Sequence, residues 1–143
     1  MKHLYDKLYV AGQIKESDFK QLQSAGISTI INNRPDNEEE AQLTAERAAE
    51  LARQVGIEYH YLPMANGQPL ADNLIDDFKT ILYQCDGKVL AHCRSGMRSS
   101  FIWALGQIPD GSISVDQAIE AATAAGIPLN NARAVLESVA PAS

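Results

Sequence analysis

A chain of 143 residues is long enough to bury one sizeable hydrophobic core, so we predict a single domain over residues 1–143. Hydrophobic residues make up 45% of the chain and charged residues 21%, which excludes a disordered protein. The net charge of −6 argues against nucleic acid and anionic membranes as partners, because both require a basic surface. The chain has neither a long apolar run nor a signal-like N-terminus, so we expect a cytoplasmic protein.

Predicted strands and helices alternate along the chain. The strands are expected at residues 8–10, 27–31, 57–62 and 88–92, and the helices at 17–25, 37–55, 72–84, 99–108, 114–125 and 130–139. Asn37 and Glu40 form a capping-box-like pair at the start of the second helix, and Asp72 is expected to cap the third. This alternation predicts an α/β fold, with a mostly parallel sheet of four to five strands and helices on both faces.

Residues 88–100 carry most of the functional information, because an apolar strand runs directly into a short loop and a helix. Backbone N–H groups in such a turn converge on one point and form an anion site. Cys93 begins the loop, where the helix dipole and nearby guanidinium groups are expected to stabilise its thiolate. We predict that Cys93 and Arg98 are catalytic. The predicted anion-binding residues are Arg94, Ser95, Gly96, Met97 and Ser99.

Three other residues are candidates for supporting roles. Strand neighbours point to opposite faces, so His92 is expected to hydrogen-bond the loop backbone rather than take the proton of Cys93. Asn33 and Arg34 follow a strand whose end should lie beside Cys93, although both also suit an ordinary surface loop. Ser99 has two interpretations, as a residue of the first helical turn or as a donor to the thiolate or leaving group.

The sequence predicts neither a metal site nor another cofactor. The three histidines lack the spacing of metal ligands. Cys85 continues an apolar helical series and is expected to fill the core. An extended strand separates Cys85 from Cys93, so we expect no disulfide between them.

The loop His92-Cys93-Arg94-Ser95-Gly96-Met97-Arg98-Ser99 resembles the pattern His-Cys-x-x-Gly-x-x-Arg-Ser/Thr of protein tyrosine and dual-specificity phosphatases, but it is one residue shorter. The spacing of four residues between cysteine and arginine resembles that of rhodanese-type sulfurtransferases. Together with residues 8–13 and 30–36, the loop is similar to the phosphatase-like domain of the beta-lactamase-hydrolase-like proteins, from about Leu8 to about Ile108. The resemblance implies a tyrosine-phosphatase-like fold and a covalent intermediate on Cys93.

Two kinds of chemistry fit these motifs. In the resembling phosphatases an aspartate upstream of the cysteine protonates the leaving oxygen, but residues 62–69 contain no acid. We therefore expect a sulfurtransferase that handles persulfides, acting on a small sulfur-containing anion and associated with a persulfide dioxygenase, as the resemblance implies. The alternatives are a phosphatase acting on a phosphate ester through phosphocysteine, and a non-catalytic anion or redox sensor.

Overall fold

Five strands form one sheet in the order β1-β2-β5-β3-β4 in the computed structural model, which describes residues 1–141. The strands are β1 (Lys2–Tyr5), β2 (Leu8–Ala11), β3 (Ile27–Asn32), β4 (Glu58–Tyr61) and β5 (Lys88–His92). The helices are α1 (Phe19–Ser24), α2 (Ala45–Gln54), α3 (Leu74–Gln84), α4 (Met97–Gln107), α5 (Val115–Ala124) and α6 (Arg133–Val139). Only β1 runs antiparallel to its neighbour, so the expected mostly parallel α/β sheet is confirmed.

The sheet is covered on both faces because successive strand residues point in opposite directions. On β5, Val89 and Ala91 pack into the larger core with α3, α4, α5 and α6. Leu90, which lies between them, packs into a second core against α1 and α2. Both strands that flank the candidate site, β3 and β5, are therefore buried and held rigidly.

The second helix begins at Ala45 and not at Asn37, so that prediction is wrong. Thr44 caps the helix, and its hydroxyl accepts a hydrogen bond from the backbone N–H of Arg47 at 3.2 Å. Asn37 and Ala41 both have positive φ, at 68° and 63°, and residues 37–44 form an irregular connection before the helix. Tertiary contacts of the acidic side chains in this connection override the local helical pattern.

Smaller differences occur at three other elements. The edge strand β1 is absent from the prediction, because Leu4 is its only buried residue and gives no periodic pattern. Asn73, not Asp72, precedes α3, and no side chain caps that helix. The last predicted helix begins as a short 3-10 turn, Leu129–Ala132, before α6. Among the described residues, none of the helices has the length and hydropathy needed to cross a membrane.

Candidate active site

The loop between β5 and α4 approaches two other parts of the chain closely. Gly96 precedes α4 with a φ of 94°, and a Cβ atom there would lie 3.1 Å from Cδ1 of Ile127. A Cβ atom on Gly12 would lie only 2.7 Å from the carbonyl oxygen of Arg94. Glycine is therefore required at both positions, since positive φ and close backbone approach each exclude a side chain. These contacts fix the path of the loop.

Cys93 is fully buried at the start of this loop. The backbone N–H of Gly96 donates a hydrogen bond to its sulfur over 3.1 Å. The N–H of Cys93 itself donates to the carbonyl of Ala11 at 3.3 Å, which ties the loop to β2. The sulfur thus lies where a backbone donor and the N-terminus of a helix both favour negative charge.

Arg98 is 6% exposed, and one edge of its guanidinium group donates to no protein oxygen. Nη1 donates to Oε2 of Glu38 and to the carbonyl of Met64, and Nη2 donates to Oε1 of Glu38, each over 2.8 Å. A guanidinium has five N–H donors in a fixed fork, so these bonds leave the Nε–H and one Nη2–H. Those two donors share an edge, which suits bidentate binding of an anion.

Glu38 holds Arg98 in this orientation and remains ionised. Its two hydrogen bonds with Arg98 are the largest cause that lowers its pKa to about 2, and Arg34 contributes a further bond. Glu38 in turn is the main cause of the raised pKa of Arg98, with the nearby sulfur of Cys93 making a smaller contribution. The carboxylate therefore positions the guanidinium, a role that the helix prediction for residues 37–55 missed.

Arg34 is buried at 1% exposure but binds protein groups rather than lying free beside Cys93. Its Nε donates to Glu38 at 2.9 Å, Nη1 to the amide oxygen of Gln13 at 3.0 Å, and Nη2 to Glu39 at 3.2 Å. Arg34 therefore connects the loops that follow β2 and β3. The alternative of a solvated loop arginine is wrong.

Asn33 and Ser99 join the loop after β3 to helix α4. The hydroxyl of Ser99 donates to Oδ1 of Asn33 at 2.7 Å, and the Asn33 amide donates to the carbonyl of Leu62 at 2.8 Å. The backbone N–H of Asn33 also donates to the carbonyl of His92 at 2.8 Å. Asn33 thus supports three segments of the site, and the Ser99 hydroxyl is directed to Asn33 rather than to the thiol.

His92 is 1% exposed, and neither ring nitrogen makes a hydrogen bond. Burial lowers the pKa of His92 to about 4, and the nearby backbone of Cys93 offsets this only in part. The expected hydrogen bond from the ring to the loop backbone is therefore not formed, although the Cys93 backbone lies close enough to raise the pKa of His92 slightly. The ring is therefore neutral near pH 7.

The other predicted anion-binding residues differ in their exposure. Arg94 and Ser95 are exposed, while Met97 packs partly against the main core. A cavity of about 760 Å³ lies at the opposite end of the sheet, beside Tyr5 and Trp103, and none of the predicted site residues lines it. Within residues 1–141 no group of three histidine, cysteine or acidic side chains could hold a metal ion.

A thiol at the end of a central parallel strand, a glycine-containing loop and an arginine at the start of the next helix lie together on a tyrosine-phosphatase-like fold. The family model of the beta-lactamase hydrolase-like protein, phosphatase-like domain, matches residues 1–110. The chain therefore belongs to this family.

Similar proteins of known sequence or structure agree with this assignment. A beta-lactamase hydrolase-like protein from Xylella fastidiosa is 31% identical over 92% of this chain, and the match spans 30% of that relative's length. A solved structure from Neisseria meningitidis, described as a candidate phosphatase, is 33% identical with a TM-score of 0.86, and the match covers 96% of both chains. The kinase-associated phosphatase is 22% identical over 95% of this chain and 88% of its own, with a TM-score of 0.71, and shows the shared fold alone.

These comparisons favour the phosphatase alternative over the sulfurtransferase that the loop length led us to expect. They offer no support for a rhodanese relationship or for a persulfide dioxygenase as a partner. With this shorter loop, the N–H of Gly96 still donates to the thiol, and Arg98 still keeps two N–H groups that donate to no protein oxygen.

Proposed function

We propose that this chain is a phosphatase that acts through a phosphocysteine on Cys93. The observation that carries the proposal is the free edge of the Arg98 guanidinium beside a buried thiol that already accepts a backbone hydrogen bond. A phosphoryl group above the sulfur offers the three acceptor oxygens that such donors bind. The similar candidate phosphatase from Neisseria meningitidis, matched along almost its whole length, supports the same chemistry.

The reaction has two steps that use the same atoms. The Cys93 thiolate attacks phosphorus, a P–S bond forms, and the bond to the leaving oxygen breaks with its electron pair. Water then attacks phosphorus, the P–S bond breaks, and thiolate and dihydrogen phosphate are released. Arg98 and the N–H groups of the loop stabilise the equatorial oxygens in both transition states, while Glu38 and Met64 keep the guanidinium in place.

Sulfur transfer is the second candidate, and one observation favours it. Only four residues separate Cys93 from Arg98, and residues 62–69 contain no acid to protonate an oxygen leaving group. A thiosulfate or persulfide donor needs no such proton, because sulfite and low-pKa thiols leave as anions. Turnover of thiosulfate and of glutathione persulfide therefore belongs in the same assay.

The test compares 4-nitrophenyl phosphate hydrolysis by the unmodified chain, by Cys93→Ser and by Cys85→Ser. We expect Cys93→Ser to lose about 10³-fold or more of kcat, as removal of a nucleophile typically does. Acid quenching during turnover should trap one phosphoryl group in the unmodified chain, detected by intact mass and mapped to Cys93. Cys85→Ser is the matched control and should keep both the activity and the adduct.

Two results would overturn the proposal. Hydrolysis that survives in Cys93→Ser would show that the thiol is not the nucleophile. Turnover of a sulfane-sulfur donor at a higher kcat/KM than any phosphate substrate, with a sulfur adduct on Cys93, would place sulfur transfer first.

A further inference from the structure

The segment that approaches Arg98 from β4 has no group able to donate a proton. The carbonyl of Met64 accepts from Arg98 at 2.8 Å, and the backbone N–H of Met64 donates to the carbonyl of Asn33. This places residues 62–64 directly beside the catalytic guanidinium. From Leu62 to Ala71 the side chains include no carboxyl, imidazole, phenol, thiol or ammonium group.

The carboxyl groups on the other side of Arg98 are already committed to other bonds. Glu38 accepts hydrogen bonds from two arginines, and its pKa of about 2 leaves it without a proton at neutral pH. Glu39 is paired with Arg34 at 3.2 Å. Asp36 accepts from the backbone N–H of Ala45 at 2.9 Å. Each of these three carboxylates therefore already accepts a hydrogen bond from a protein donor.

The remaining polar groups next to Cys93 are equally unsuited to donate a proton to the leaving group. His92 is buried and neutral, and the proton on its ring is far less acidic than that of an imidazolium ion. Ser99 directs its hydroxyl to Asn33. The leaving oxygen must therefore depart as an anion, and this is rapid only when that anion is weakly basic.

Building on the proposed phosphatase activity, we propose that the natural substrates are phosphoric anhydrides, including acyl phosphates, rather than phosphate esters of alcohols. In the first step the Cys93 thiolate displaces a carboxylate or a phosphate, which takes the electron pair of the broken P–O bond and needs no proton. In the second step water hydrolyses the phosphocysteine to thiolate and dihydrogen phosphate. A carboxylic acid has a pKa of ~4 and a phenol one of ~10, so the two leaving groups differ greatly in basicity.

The experiment measures kcat/KM of the full chain for a graded set of substrates. The set is acetyl phosphate, pyrophosphate, 2,4-dinitrophenyl phosphate, 4-nitrophenyl phosphate and phenyl phosphate, with Cys93→Ser as the blank for each. General acid catalysis contributes ~10²–10⁴-fold, so we expect phenyl phosphate to be at least ~10²-fold slower than 4-nitrophenyl phosphate. Acetyl phosphate represents the acyl phosphates and pyrophosphate the phosphoanhydrides. Both belong to the proposed class, and comparing them shows which kind of anhydride the protein prefers.

A second readout is the pH profile of kcat. Without a catalytic acid, the rate with 4-nitrophenyl phosphate should rise to a plateau and show no fall at alkaline pH. Asp72 is the first carboxyl group after the acid-free segment, and it is exposed. Asp72→Asn should therefore leave kcat within twofold for every substrate.

The inference and the proposed function fail in different ways. Equal kcat/KM for phenyl and 4-nitrophenyl phosphate, or a bell-shaped pH profile, would reveal a catalytic acid. Either result would overturn the proposed preference for anhydrides but not the proposed phosphatase activity. A tenfold loss in Asp72→Asn on phenyl phosphate alone would do the same and identify the acid. Absence of Cys93-dependent turnover of every substrate, acetyl phosphate included, would overturn both.

Discussion

The two cysteines lie near opposite ends of β5, and their surroundings differ in the charge they can stabilise. Cys93 follows the strand, is fully buried, and accepts a hydrogen bond from the N–H of Gly96 beside Arg98. Cys85 precedes the strand, and its sulfur lies 3.2 Å from the Ser28 hydroxyl. Of the two cysteines, only Cys93 lies beside both the glycine-containing loop and the Arg98 guanidinium, which is why the proposed function assigns the reaction to Cys93.

Cys85 nevertheless resembles a reactive thiol in one respect. Burial raises the pKa of Cys85, but hydrogen bonds from Ser28 and Thr29, the Gly87 backbone and the charge of Lys7 outweigh it, so that the pKa is lowered overall. A lowered pKa does not by itself create an active site, because no set of donors is arranged there to bind a substrate. Four predictions test this contrast between the two ends of the strand.

The largest effect is expected from Arg98→Lys. Lysine retains the charge but cannot bind Glu38, Met64 and a phosphoryl group at once in a planar fork. We expect kcat/KM for 4-nitrophenyl phosphate to fall ~10²-fold or more, in the range found for single oxyanion donors. Arg94→Lys is the matched control, since Arg94 is exposed, and it should change kcat/KM less than threefold. Equal losses in the two variants would contradict the assigned role of Arg98.

A second large effect concerns stability in acid, through His92. Its pKa of about 4 in the folded chain lies below the usual 6.5, so the unfolded chain binds the proton first. Stability should therefore be unaffected above pH ~6.5 and fall by about 3 kcal/mol as the pH drops to 4. Urea unfolding across this range checks the prediction.

The His92 prediction has its own pair of variants. In His92→Phe this loss of unfolding free energy at acid pH should disappear, because the phenyl ring cannot be protonated in the unfolded chain. His3→Asn, at an exposed position, should keep it. If the free energy of unfolding fell with pH as steeply in His92→Phe as in the unmodified chain, another group would be responsible.

Removing the charge of Glu38 should have an intermediate effect. Glu38→Gln loses the paired hydrogen bonds that hold Arg98, and we expect about a tenfold lower kcat/KM, equivalent to about 1.4 kcal/mol. Glu38→Asp should recover part of the loss. Glu39→Gln, which removes only the charge of an exposed partner of Arg34, should lose less than threefold. A higher kcat/KM in Glu38→Gln would mean that the carboxylate competes with substrate instead of positioning the arginine.

The smallest effect is expected from Cys85→Ala. The sulfur interacts with two hydroxyl groups in a half-buried pocket, so its loss should lower the free energy of unfolding by about 1 kcal/mol. The kcat should change less than twofold, since Cys85 lies at the far end of β5 from the site. Both are read from urea unfolding and the standard phosphatase assay. A loss of activity larger than the loss of folded protein would show that the two ends of β5 are coupled.

A resemblance of motifs indicated the family, and the sequence by itself predicted the parallel α/β sheet and the loop from Cys93 to Arg98. These features are local, because β-branched runs, glycine and apolar periodicity act over a few residues at a time. The sequence did not reveal that residues 37–44 are irregular, since Glu38, Glu39 and Glu40 suit a helix N-terminus well. The local helical preference is overridden there by the ion pairs of Arg34 with Glu38 and Glu39 and by the long-range ion pair of Arg98 with Glu38.

Only the tertiary structure decided which acceptors the hydrogen-bond donors of the site contact. Glu38 and Arg98 are far apart in the chain, and so are Asn33 and Ser99, yet each pair meets at the carboxyl ends of β3 and β5. No local pattern encodes such contacts, because they depend on which strands are neighbours in the sheet. A guanidinium has a fixed number of donors with fixed directions. Which edge is left for a substrate therefore depends on where the folded chain places the partners of the other donors.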